Sequence, residues 1–161
     1  VLALFLAISE TLSKAYQTEV ITKQVEASNL WAFFQAKSIR KTTTDVALQA
    51  AQISPHADDP KTVAQIKKWA DTAKRYDTEP ETGEGRKELA ERAKKAQALG
   101  ELANHKYHNL EISSGVLQVA IVLASSSIIT NVMMLAWLAG GLGIVAVGFG
   151  IFAMFGAAAL F

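Results

Sequence analysis

The chain has 161 residues, half of them hydrophobic, no cysteine, and a net charge of +1 from 16 basic and 15 acidic side chains. Such a balance gives no reason to expect a nucleic-acid partner, and the absence of cysteine excludes a disulfide scaffold. The charges are confined: the first is Glu10, the last is Glu111, and Ile112 to Phe161 carries none. About 20 apolar residues suffice to span a bilayer, so an uncharged run of this length argues against a soluble enzyme.

The chain opens with the apolar stretch Val1–Ile8 and no initiator Met. A stretch this short cannot cross a membrane at about 1.5 Å per residue, and no small-residue cleavage site follows it. Residues 1–9 are therefore expected to be the end of a first transmembrane helix that begins before Val1.

Residues 10–111 form a charged middle with two breaks. Ser54–Pro60 holds two prolines around Asp58 and Asp59, which can cap a following helix; Thr78–Gly85 holds Pro80, Gly83 and Gly85. Helices are expected over 9–53, 61–77 and 86–111, since the apolar residues recur at helical spacing. In the first helix a stripe steps alternately by four and three: Val25, Asn29, Ala32, Ala36, Ile39, Thr43, Val46, Ala50, Ile53. The third helix repeats the pattern through Leu89, Ala93, Ala96, Gly100, Ala103, Tyr107 and Leu110. Two such heptad seams of mostly small residues predict an antiparallel helical hairpin, or coiled coil, projecting from the membrane. The short second helix has its own stripe, including Ile66 and Trp69. Trp31, Phe33 and Phe34 lie off the first seam, and three aromatics together mark a subunit or partner interface. The alternatives are packing on the third helix of the same chain or contact with lipid headgroups.

The apolar end, 112–161, divides at Thr130-Asn131 into spans at about 112–129 and 134–160, a transmembrane hairpin. Its second span has a small-residue stripe, Gly143, Ala146, Gly150 and Ala153, continued by Ala139 and Ala157. Small residues let helix backbones meet in lipid, so this stripe is expected to be a second interface between copies or with a partner.

No catalytic, cofactor-binding or metal site is expected. Gly141-Leu142-Gly143 lacks the preceding strand and following acidic residue of a dinucleotide fingerprint. His105 and His108 share a helix face without further ligands, which favours an interfacial role. Gln118, well inside the first span, suits an interhelical hydrogen bond rather than a substrate site. The basic pairs Lys67-Lys68, Lys74-Arg75 and Lys94-Lys95 alternate with acids, as on a solvated face.

The stretch Ala27-Ser28-Asn29-Leu30-Trp31-Ala32-Phe33-Phe34-Gln35-Ala36-Lys37-Ser38-Ile39-Arg40 resembles a bacterial membrane family, domain-of-unknown-function family 4337. The likeness extends over nearly the whole chain: an apolar N-terminal helix, this aromatic-Gln-Ala-Lys signature, a charged helical middle and a C-terminal membrane pair. The resemblance implies an inner-membrane location and a truncated first helix, and brings no activity or cofactor. Its members carry basic residues in the link of the C-terminal hairpin, where this chain has Thr130-Asn131. Their basic flanks imply that the charged middle lies in the periplasm.

The expectation is an all-α, multi-pass protein of the bacterial inner membrane, with three transmembrane helices and an extramembrane hairpin. The expected role is an oligomeric, non-catalytic scaffold in contact with membrane lipids and with its own copies or other membrane proteins. The rivals are an accessory subunit of a larger membrane complex and a transporter or channel component.

Overall fold

The computed structural model describes the backbone of residues 1–155 and the side chains of residues 1–152. Four helices make up the described chain: α1 (Leu2–Gln52), α2 (Pro60–Asp77), α3 (Arg86–Thr130) and α4 (Met133–Phe155). Both expected breaks fall between helices. Asp59 caps α2 by accepting a 3.0 Å bond from the Lys61 amide, and Pro60 takes the first helical position, where its missing N–H costs nothing. Gly83, at φ 67°, supplies the left-handed residue of the α2–α3 turn. At the α3–α4 link that role falls to Asn131, at φ 55°, one of the few non-glycine residues that accept it readily.

The helices extend further than expected. α1 continues without a break from the apolar start into charged sequence and is 51 residues long, about 75 Å. α3 passes through the boundary at Glu111 as one 45-residue helix, so the third polar segment and the first span are a single rod. Its seam is equally continuous: the buried positions Leu89, Ala93, Ala96, Ala103 and Leu110 lead in heptad steps to Ser114 and Leu117. Among the described residues two helices, α3 and α4, are long and apolar enough to cross a membrane. Of the three expected spans, two are found among the described residues, since Val1–Ile8 gives α1 too few apolar residues to qualify.

By contacts the chain forms two compact units, Gln24–Gln97, and Val1–Lys23 with Ala98–Phe161. Their boundaries fall inside α1 and α3.

In the unit Gln24–Gln97, α1 and α3 run antiparallel around a core of Ala27, Leu30, Leu89, Ala93 and Ala96, with Trp31 and Phe34 packed against it. The two rings meet edge to face, 5.4 Å between centroids. Small residues on α3 leave room for the large ones on α1. This differs from the expected seam-on-seam pairing. The α1 positions Ala32, Ala36, Ile39 and Val46 are exposed, with Ile39 at 67 % and Val46 at 60 %. The heptad period of α1 was legible, but its phase relative to α3 was not. Burying aromatic rings removes about 150–250 Å² each from water, at about 25 cal/mol per Å², more than an alanine-rich stripe can offer.

In the other unit, α1 and α3 are again antiparallel: Lys106 lies over the Tyr16 ring at 5.3 Å, and Gln118 Nε2 donates to Glu10 Oε1 at 3.2 Å. α4 docks here through its small face. Ala139 and Ala146 are 2 % and 1 % exposed, and Ser113 Oγ donates to the Ala146 carbonyl at 2.8 Å. A Cβ at Gly150 would sit 3.0 Å from that Ser113 oxygen, a tight contact that the serine would have to yield to by a few tenths of an ångström.

Candidate functional site

The chain presents three features with which it can meet something else: a helix face, a polar groove and a charged turn. The face is the α1 stripe displaced from the core. Val25, Ile39 and Val46 are 54–67 % exposed, and Asn29, Ala32, Ala36, Thr43 and Ala50 on the same face are exposed as well; Ile53, in the turn just past the helix, is 85 % exposed. The Thr43 hydroxyl is satisfied within the helix, donating to the Ile39 carbonyl at 2.9 Å. Phe33, at 63 % exposure, borders the stripe.

The residues expected at interfaces are distributed differently. Trp31 and Phe34 are largely used inside their own unit, which leaves Phe33 as the outward member of that set. Gly143, Ala146 and Gly150 are buried within the chain and contact Leu2 or Ser113, so this stripe is an internal contact and not a free surface. The side chain of Ala153, and Ala157, lie outside the described residues. Of the hairpin seam, Ala93, Ala96, Gly100 and Ala103 are buried, whereas Ala32, Ala36, Ile39 and Val46 are not.

The groove has a volume of about 430 Å³ and is lined by Glu10, Lys14, Gln17, Tyr107, Glu111 and Gln118, among others. Tyr107 donates to Glu111 Oε1 at 3.2 Å. Gln118 makes the interhelical bond expected of it, and its partner is a carboxylate, Glu10. The uncharged run thus receives an ionisable neighbour from α1, which its own sequence did not reveal, because the two residues meet only through the antiparallel register. Ser114 Oγ, buried in the α3 seam, has no hydrogen-bond partner.

The charged turn lies between α2 and α3. Glu79 accepts from Arg75 Nε and Nη2 at 3.1 and 2.7 Å, and Lys37 on α1 lies 3.8 Å away. The Arg75 hydrogen bond, followed by one from Thr82, holds the Glu79 carboxyl below the usual glutamate range. Glu88 accepts from the Glu79 amide, and Arg86 ties the turn to α1 by donating to Ser38 Oγ at 2.9 Å. A Cβ at Gly85 would collide with the Glu79 nitrogen and lie 2.8 Å from Thr78 Cα, so this turn closes only around glycine.

Among the described residues no group of three or more His, Cys, Asp or Glu side chains is placed to hold a metal ion. His108 instead lies 3.8 Å from Glu111 on its own helix. Neither the curated proteins nor the solved structures give a match. A family model does match, over residues 1–156, nearly the full length and including the aromatic signature on α1. By that match the chain belongs to the DUF4337 family, a domain of unknown function.

Proposed function

We propose that the chain is a non-catalytic scaffold of the bacterial inner membrane, anchored by α3 and α4, with the α1–α2–α3 hairpin carried outside the bilayer. The observation that carries this reading is the uncovered apolar surface of the two candidate spans. Only 22 % of the most apolar stretch of each is buried within the chain. Val122, Ile128, Ile129, Trp137 and Ile144 are 63–84 % exposed. The core helix of a soluble protein would be largely covered, whereas lipid is a fitting solvent for such a surface. A transport path would be expected to bring several ionisable or strongly polar groups into the spans, and among the described residues Glu10 with Gln118 is the contact that does so. By the family's basic flanks, the hairpin is assigned to the periplasmic side.

The test is extraction of isolated membranes with high salt and with alkaline carbonate. The chain is expected to stay in the pellet under both and to leave it only with detergent. Release by carbonate would overturn membrane anchoring and, with it, the scaffold role.

A further inference from the structure

The exposed stripe of α1 runs from Val25 to Ala50, about 38 Å of helix at 1.5 Å per residue, with Ile53 in the turn just beyond the helix end. Its steps of four and three define a heptad. Val25, Ala32, Ile39 and Val46 occupy one core position, conventionally d. Asn29, Ala36, Thr43 and Ala50 occupy the other, a. The opposite pole of the same helix, at Ala27, Phe34, Lys41 and Leu48, is buried or half-buried in the chain. α1 is therefore a two-faced helix with one face filled and the other regular, apolar and open.

We propose that this stripe seats a second copy of the chain, the two α1 helices pairing parallel and in register as a two-stranded coiled coil. Two observations favour that occupant. In a parallel, in-register pair each a residue meets its own counterpart, so Asn29 faces Asn29 and both amides find a partner. In an antiparallel pair a faces d, and each d residue here is apolar, which would leave the Asn29 amide buried without a bond. Thr43 adds no such cost, since its hydroxyl is already bonded to Ile39. The flanking positions are also compatible with self-pairing. Across a parallel interface Ser28 meets Phe33, Gln35 meets Arg40, and Thr42 meets Ala47, so no like charges oppose one another. Phe33 then covers the edge of the seam. The parallel direction rests on the membrane-anchored reading, because copies inserted the same way present α1 in the same direction.

The chain has no cysteine, so single cysteines report unambiguously. Chains carrying Ala32→Cys, Ala36→Cys, Ile39→Cys or Val46→Cys, or the off-stripe controls Lys41→Cys and Gln52→Cys, are oxidised in native membranes. Each stripe position is expected to give a disulfide-linked species of twice the chain mass, with at least fivefold lower yield at both controls. Adding Val46→Glu to Ile39→Cys should abolish that species. Val46 is exposed within the chain, so its own fold has no need of the valine. Cross-linking at one stripe position alone would indicate an antiparallel pair, and equal yield at all six positions would indicate random collision. Adducts of any other mass would indicate a different protein as the occupant. Each of these results overturns the proposal. Carbonate extraction of the same membranes separates the two claims: a chain that stays in the pellet without the periodic pattern loses the pairing but keeps its anchor.

Discussion

Adjacent aromatic residues with the same side chain have opposite roles here, and the difference is purely one of helical phase. Phe34 packs against the core of its unit, meets Trp31 edge to face, and has the Arg86 guanidinium 5.2 Å from its ring centroid. Phe33, one residue earlier and about 100° around the helix, is 63 % exposed. Phe34→Ala should therefore destabilise its unit by about 2–3 kcal/mol, somewhat below the cost of truncating a fully buried ring. Phe33→Ala should change the stability of the single chain by less than about 0.5 kcal/mol, as for an ordinary surface substitution. Denaturant melts of the two variants in detergent, at a concentration where copies are separate, check the contrast. Equal losses would show that the phase of α1 is not the one described.

At the scale of the element, the α2–α3 turn is the part of the chain whose stability should respond to acid. Glu79 is held below its ordinary pKa, first by the Arg75 hydrogen bond, so the folded turn binds a proton less readily than the unfolded chain. The unfolded state then binds more protons across that window, and stability must rise with pH through it. The contribution is complete above the unfolded glutamate value of about 4.3 and is lost as pH falls through the depressed folded value. Thermal melts followed by helix signal should show a midpoint that falls with acid in this window, with a shallower fall in Glu79→Gln. An identical slope in the variant would place the acid sensitivity elsewhere.

The same elements show what was legible beforehand. Both breaks, the cap at Asp59 and the heptad period of α1 and α3 could be read from local residues, because turn chemistry and spacing act within a few positions of the chain. What local patterns do not encode is which face of a periodic helix meets which neighbour. The α1 stripe with the cleanest heptad was expected to face α3, but α3's alanines receive Leu30, Trp31 and Phe34. Likewise the small residues of α4 were expected to serve another subunit and are filled by Ser113 and Leu2. The Glu10–Gln118 contact joins residues separated by most of the chain, so only the antiparallel register discloses it.

For the molecule as a whole, membrane anchoring requires that the uncovered apolar surface of α3 and α4 face lipid. Single cysteines at Val119, Val122 and Ile144, which are 54–77 % exposed within the chain, can be treated in intact membranes with a permeant maleimide, which needs water at the thiol. Asn104→Cys on the charged part of α3 and Asn131→Cys in the α3–α4 link serve as exposed references. Labelling is predicted at Asn104 and Asn131, with none at the three apolar positions until sodium dodecyl sulfate is added. If Val119, Val122 and Ile144 label in intact membranes as fast as Asn104, the helices are in water and the membrane-anchored account is wrong.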